Sequence, residues 1–267
     1  MEKEEVVLIT GCSSGIGREL SRVLADKGYI VVATARKVDT IKDLPASLRL
    51  PLDVTKSESI AGAVREVIAR FQKIDILVNN AGYSIRGALE EISIENMKSM
   101  FDVNVFGIIN MIQAVIPEMR RNGAGKIINI GSVSGKFAQP VNGAYCASKF
   151  AVEALTDTLR LELFKQNIQV TVIEPGPIKT GFFKTMDEHS CYLMTNPASC
   201  YKSLYSSDTR RREMQAYAQP QKAAETICKI IGERRLKSRY EVAVPYALSM
   251  IARFPDSLRE YLMKNLR

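Results

Sequence analysis

Histidine is almost missing from the 267 residues: His189 stands alone, with no serine or carboxylate constellation around it. A serine-hydrolase triad needs a histidine bonded to its nucleophile, and zinc sites gather several His or Cys ligands. Both chemistries are set aside, and His189 is read as a surface residue. Cysteine is scattered: Cys12, Cys146, Cys191, Cys200 and Cys228 are odd in number and form no CxxC pair, the spacing that metal and redox sites use. A reducing, cytoplasmic interior is the expected setting. No charged leader with an apolar core precedes the first strand-like run, which begins at Val6, so no export signal is expected. Long apolar runs are missing too. Val103 to Ile116 is interrupted by Asn104, Asn110 and Gln113 and stopped by Pro117, short of the ~20 residues a membrane crossing needs. A soluble protein is expected.

What is present is a net charge of +8, with eight Lys/Arg against three Asp/Glu in residues 234–267. That surplus reads as a solvated C-terminal face, and no nucleic-acid motif accompanies it. Short runs rich in Val and Ile, without strict alternation, recur at Val6 to Thr10, Ile30 to Ala35, Ile74 to Val78, Lys126 to Ile130 and Gln169 to Ile173. Such runs suit strands covered on both faces. Leu48 to Leu52 and Tyr240 to Val244 are further strand candidates. Helical stretches lie between them, at Arg18 to Lys27, Ser57 to Phe71, Glu95 to Arg121 and Ala144 to Lys165. The alternation predicts an α/β, doubly wound (Rossmann) parallel sheet of about seven strands with helices on both faces. No linker or internal repeat divides residues 1–267, so a single domain is expected. Residues 181–220 break the rhythm with no clear periodicity and read as a lid.

Thr10-Gly-Cys-Ser-Ser-Gly-Ile-Gly17 follows the first strand and opens the first helix. Glycine permits a tight turn there, and the N–H groups and partial positive charge of the helix start suit a pyrophosphate. The candidate contacts are Gly11, Ser13, Ser14, Gly15, Ile16 and Gly17. At the end of the second strand, NAD enzymes carry an acidic residue for the ribose hydroxyls. Here the run is Ala33-Thr-Ala-Arg36-Lys37. With no carboxylate and with a guanidinium at Arg36, a ribose 2′-phosphate is the better partner, so NADP(H) is favoured over NAD(H).

Tyr145 and Lys149 stand four residues apart at the start of a predicted helix, which puts them on one face. A free tyrosine has pKa about 10, and a lysine ammonium at about 4 Å offers roughly three units of help at an effective dielectric of about 20. Tyr145 is then expected to exchange a proton near neutrality. Ser132 lies just past a strand end, where it could hold a substrate oxygen. It also fits an ordinary turn. Asn104 sits in an apolar helix and must find partners; it could orient Lys149 through water or act as a satisfied core amide.

Taken together, TGCSSGIG at Thr10 to Gly17, Asp53-Val54, NNAG at Asn79 to Gly82, Asn104, Ser132, YCASK at Tyr145 to Lys149 and Pro175-Gly176 with Thr180 resemble the short-chain dehydrogenase/reductase family in its compact form. The TGxxxGxG spacing is unlike the extended branch that includes sugar epimerases. The resemblance implies an NAD(P)-dependent enzyme acting on CH–OH donors, with Tyr145 as general acid/base, Ser132 as polariser, Lys149 on the nicotinamide ribose and Asn104 in a proton relay. It also implies that Asp53 and Val54 meet the adenine, that Asn80, in the turn with Ala81 and Gly82, meets the adenosine side, and that Ile178 and Thr180, beyond Pro175 and Gly176, meet the nicotinamide amide. A homodimer or homotetramer is the family's usual assembly.

AYCASKFAVEALTDTLRLEL and EPGPIKTGFF look like the hydroxysteroid and retinol dehydrogenase-like branch. Between Gly181 and Pro220 lie Phe182, Phe183, Met186, Tyr192, Leu193, Met194, Tyr201, Leu204, Tyr205, Met214 and Tyr217. Aromatic and methionine side chains make an adaptable apolar wall, so a bulky steroid, retinoid or lipid-like substrate is expected. An acyl dihydroxyacetone phosphate reductase-like enzyme would also suit the basic C-terminus. A dinucleotide sensor without turnover is the rival class, and retention of Ser132, Tyr145 and Lys149 argues against it. From Leu248 to Leu266, apolar residues at near-helical spacing alternate with Arg253, Arg259 and Lys264. That pattern fits a peripheral membrane contact or docking onto the domain, and Pro255, which would break one long helix, favours docking.

Overall fold

The computed structural model describes residues 5–214 and 217–265. Its strands are β1 (Val6–Ile9), β2 (Ile30–Ala35), β3 (Leu48–Pro51), β4 (Ile76–Asn79), β5 (Gly125–Ile130), β6 (Ile168–Pro175) and β7 (Arg239–Val242). All pair in parallel in the order β3-β2-β1-β4-β5-β6-β7. β1 shows why an unbroken apolar run is needed. Alternate side chains of a strand point to opposite faces; Val7 and Ile9 enter one core, Val6 and Leu8 the other. Neither face is open to water, so no polar alternation marks the strand.

On the first face, α1 (Gly15–Asp26) and α8 (Pro220–Ile231) supply Leu20, Leu24, Ala224, Ile227 and Ile231. On the second, α2 (Ser57–Phe71), α4 (Gly107–Arg121) and α5 (Gly143–Glu162) supply Val64, Val67, Met111, Val115 and Val152. The chain runs outward from β1 through β2 to β3, then returns to place β4 on the other side of β1. The helices that follow β1 and β4 therefore lie on opposite faces of the sheet, and this switch point leaves a crevice at the strands' carboxyl ends. The candidate residues gather there.

The helix expected over Glu95 to Arg121 is α3 (Ile94–Phe101), a π-helical turn over Asp102–Phe106 and α4 in unbroken succession. Pro117 lies inside α4 and does not stop it. It forgoes only the bond to the carbonyl four residues back, while Val115, Ile116 and Met119 keep packing on the sheet side. The result is a helix of 28 residues, long and apolar enough to cross a membrane, with half of its most apolar window buried in the protein. The sequence expectation of an apolar stretch too short for a crossing is corrected on length.

Residues 181–220 also depart from expectation. Instead of an irregular segment, they form α6 (Phe182–Met194) and α7 (Lys202–Met214). The buried face of α6 is Met186, Ser190 and Leu193, a helical spacing concealed in sequence by its serine. Two C-terminal helices follow β7, α9 (Tyr246–Ile251) and α10 (Asp256–Asn265), with Pro255 between them. Arg259 donates to the Lys136 carbonyl at 3.3 Å, which docks α10 on the loop after β5, while Tyr246, Leu258 and Tyr261 stay exposed. Leu266 and the side chain of Met214 fall outside the described residues.

Met111, wholly buried in α4, tests the second core. Met111→Ala should lower stability by about 2–5 kcal/mol, the range for such truncations. In urea unfolding the midpoint should fall with little change in slope.

Candidate active site

The phosphate loop begins where β1 ends. Gly11 has φ +73° and Gly15 φ +63°, left-handed values that favour glycine. Gly17 is required for a different reason, because a Cβ there would come within 2.4 Å of the Asn80 side-chain nitrogen. That amide donates to the carbonyls of Thr10 and Gly11 at 2.9 and 3.0 Å. The Thr10 hydroxyl accepts from the backbone N–H groups of Asn80 and Ala81, both at 3.0 Å. Asn80 thus clamps the end of β4 to the loop after β1. Ser14 stands at the N-cap of α1 in extended conformation without capping the helix, and no acidic residue occupies the first turn. Ser13 and Ser14 are exposed while Ile16 is half-buried. Uncapped N–H groups, exposed hydroxyls and a positive helix end make a donor set that fits a dinucleotide pyrophosphate.

Around this loop lie the remaining cofactor candidates. Thr180 is close enough to Gly15 that a Cβ there would meet its methyl at 3.2 Å, and Gly181 approaches Ser14. The segment after β6 therefore crosses in front of the phosphate loop. Its course is fixed by Gly176, where a Cβ would come within 2.3 Å of the Ala243 carbonyl oxygen, and by Ile178, which is buried and bridges to Ala218. Pro175 closes β6. On the far side, Asp53 Oδ1 accepts from the Thr55 N–H and hydroxyl at 3.0 and 2.7 Å. Burial raises the Asp53 pKa, but those two bonds outweigh it, with Lys56 and Arg36 adding to a net lowering. Val54 is buried against Gly107. Arg36 is exposed directly after β2, which ends at Ala35.

The chemistry would centre on the first turns of α5. Lys149 is buried and donates from Nζ to the Ile130 carbonyl at 2.8 Å, 5.7 Å from the centre of the Tyr145 ring. Burial lowers its pKa to about 8, opposed by the charge of Glu153. Part of the Tyr145 surface is open, yet its hydroxyl is buried. That burial raises its pKa, with the hydrogen bond from Ser132 pulling the other way. The expectation that Lys149 alone brings Tyr145 near neutrality is therefore corrected. Desolvation of the phenol, which spacing does not reveal, is the largest influence on it, and the net shift is upward.

Ser132 takes the turn position that the sequence allowed. Its Oγ accepts from the Ser134 N–H at 3.1 Å as the cap of a short helical turn, and its hydroxyl still faces Tyr145. Asn104 is wholly buried in the π-helical turn. Its Oδ1 accepts from the Tyr83 N–H at 3.0 Å, and its Nδ2 donates to the Tyr83 carbonyl at 2.9 Å and the Ser148 hydroxyl at 3.2 Å. Both amide donors are thus used. A Cβ on Gly82 would lie 3.1 Å from Asn104 Oδ1 and 4.0 Å from Lys149 Nζ, so the missing side chain lets these groups approach. His189 is exposed on α6, its ring 5.0 Å from that of Tyr83.

Two features were missed in sequence. Glu153, one turn beyond Lys149, meets Arg239 of β7 at 3.0 Å, and Arg239 also lies 3.4 Å from buried Glu174, which Lys136 reaches at 3.1 Å. The repeat of chemistry-bearing residues at 145, 149 and 153 was the available signal. The second is Arg86, buried after β4, a lone cation in an otherwise apolar Ile-Arg-Gly-Ala-Leu run.

Residues 5–190 match the family described as short chain dehydrogenase. The chain is 34% identical over 266 residues to 3-ketodihydrosphingosine reductase of Bacteroides thetaiotaomicron, covering 97% of each. It is 37% identical over 257 residues to retinol dehydrogenase 8 of Bos taurus, covering 88% of this chain and 82% of that one. A short-chain dehydrogenase from Streptomyces avermitilis has the same fold, with TM-score 0.81, 30% identity and coverage of 99% and 96%. The protein belongs to the short-chain dehydrogenase/reductase family, in the hydroxysteroid/retinol dehydrogenase-like branch. It is an NAD(P)-dependent oxidoreductase of alcohol and keto groups.

Glu153 gives this site a pH signature. Burial and the Glu174 charge push its pKa up to about 7, against the pull of Arg239 and Lys136. The folded protein then holds a proton that the unfolded chain releases near pH 4.5. Stability from this group is full below that pH and lost as pH rises through about 7. In urea titrations, the stability of the wild type relative to Glu153→Gln should fall across that window and be flat outside it. A flat difference from about pH 4 to about pH 8 would mean that Glu153 titrates alike in the folded and unfolded states, without the upward shift.

Proposed function

We propose that this chain is an NADP(H)-dependent reductase of a bulky, apolar ketone, with a long-chain keto-lipid as the substrate class. When bound, the reduced nicotinamide supplies the hydride. The protein's own part is to hold the carbonyl oxygen with the Ser132 hydroxyl and give it the Tyr145 proton, while buried Lys149 stabilises the phenolate left behind. Gly11, Ser13, Ser14, Gly15, Ile16 and Gly17 would hold the pyrophosphate. Asp53, Val54, Asn80, Ala81 and Gly82 would border the adenosine, and Lys149, Pro175, Gly176, Ile178 and Thr180 the nicotinamide half.

The observation that carries the substrate class is the apolar cover on Tyr145. The Phe182 ring stands edge-on to it at 5.7 Å and is followed by Phe183 and Tyr217 in a chain of edge contacts. A cavity of about 520 Å³ opens beside Gly143, two residues from Tyr145, walled mostly by Leu89, Pro140, Val141, Tyr201 and Leu204, with Glu90 and Gln139 as its polar side chains. Such walls favour a chain or ring system over a sugar or hydroxy acid. The name of the Bacteroides relative, 3-ketodihydrosphingosine reductase, supports a ketone borne on a long alkyl chain.

Arg36 and the lack of a carboxylate at Ala35 support NADP(H). A hydrogen bond to a charged group contributes about 1.5–3 kcal/mol, or roughly a ten- to 150-fold preference, reduced by exposure. Steady-state NADPH and NADH oxidation with long-chain, steroid and small ketones tests both halves of the reading. Long-chain ketones and NADPH should give the highest kcat/KM, Ala35→Asp with Arg36→Ser should shift preference toward NADH, and Tyr145→Phe should cost at least about 100-fold. A wild-type preference for NADH would overturn the role given to Arg36. Turnover of small polar ketones alone would overturn the substrate class.

The same reading places the enzyme in the cytoplasm, in keeping with five free thiols, as a homodimer or homotetramer. Exposed Ile94, Phe106, Phe150, Leu161 and Phe164 on α3–α5 and just beyond them support association of copies. Sedimentation velocity should find no monomer at micromolar concentration, and a monomer there would contradict it.

A further inference from the structure

Arg86 is attached to both helices of the 182–214 segment. Its backbone N–H donates to the Ser190 hydroxyl of α6 at 2.7 Å, its Nε lies 3.1 Å from the Met186 sulfur of α6, and its Nη1 donates to Asp208 of α7 at 2.7 Å. Arg86, Met186, Ser190 and Asp208 are all buried. Met186 is one helical turn from Phe182, the residue whose ring covers Tyr145. On the other side of the loop, neighbouring Ile85 packs in the cluster that includes Ala144, Leu193 and Tyr145.

A buried ion pair is weak evidence for stability. Apolar side chains of similar volume would hold two helices on a loop at least as well, because both charges must be stripped of water. The Arg86–Asp208 pair therefore calls for another role, and its surroundings supply one. The bonds it makes are directional, so they fix α6 in one register over the tyrosine. The Phe182 ring that α6 carries edge-on to Tyr145 is placed by the same clasp.

We propose that Arg86, held by Asp208, is a positioning and specificity-determining residue: it clasps α6 and α7 as a lid and so sets the Phe182 ring over Tyr145. This rests on the reading of Tyr145 as the proton donor. Lid register governs how tightly a bulky ketone is held, so it appears in KM, and far more for a bulky ketone than for a small one.

The test uses the full-length protein and NADPH oxidation with 2-dodecanone and cyclohexanone. Arg86→Gln should raise the 2-dodecanone KM by about tenfold or more, with a much smaller change for cyclohexanone. Asp208→Asn should raise the 2-dodecanone KM in the same way, and Arg86→Lys should restore little of it. The double variant Arg86→Met with Asp208→Leu is expected to keep the fold yet lack the directional bonds, so it should keep the raised KM. Equal KM changes for the two ketones would overturn the proposal. Hydrogen–deuterium exchange of the same variants without substrate gives a readout independent of turnover. Arg86→Gln and Asp208→Asn should speed exchange in residues 182–194 and 202–209 and leave β4–β6 unchanged. Unchanged lid exchange would overturn the clasp even if no ketone were reduced, whereas an absence of turnover with altered lid exchange would count against the catalytic reading alone.

Discussion

The arrangement depends on one buried cation. Lys149 lies inside the protein with its Nζ on the Ile130 carbonyl, and an ammonium stripped of water is costly unless something nearby repays it. Repayment comes from the strand-end carbonyl and, one turn along α5, from the Glu153 charge that opposes the fall in its pKa. This pins the start of α5 to the end of β5. The same turn carries Tyr145, and the same strand end leads into Ser132, so the phenol, the serine hydroxyl and the cation are fixed by a single joint between helix and sheet.

Two further joints convert that geometry into a cleft. Asn80 and Thr10 lock the loops after β4 and β1 together, setting the phosphate loop against the strand that leads to Gly82 and Asn104. Thr180 then crosses Gly15 and carries the chain directly into α6, whose Phe182 covers Tyr145. The segment at the glycine loop and the helix that covers Tyr145 are consequently joined directly, through Gly181.

Much of this was legible in the residues. Strands buried on both faces announce themselves as Val/Ile runs, and Gly11, Gly15, Tyr145 and Lys149 stand in local patterns whose spacing carries their meaning. Helices α6 and α7 were hidden because their buried faces include Ser190 and Asp208, which erase apolar periodicity. Pro117 misled because a single proline costs one hydrogen bond, and the packing of α4 outweighs it. Arg86 and Glu153 were out of reach for another reason. Each takes its significance from partners more than 80 residues away, Asp208 and Arg239, and only tertiary structure unites them. The Tyr145 pKa was misjudged because proximity to a charge can be read from spacing, whereas burial cannot.

The central claim is that a hydride from reduced nicotinamide and a proton from Tyr145 meet on a ketone held by Ser132. Mass spectrometry of the product formed from 2-dodecanone and C4-deuterated NADPH tests it most directly. The expected result is one deuterium on the carbinol carbon, delivered from one face of the cofactor only, with labelled alcohol formed at least about 100-fold more slowly by Tyr145→Phe. An unlabelled alcohol, or label incorporated equally by the Tyr145→Phe protein, would contradict it.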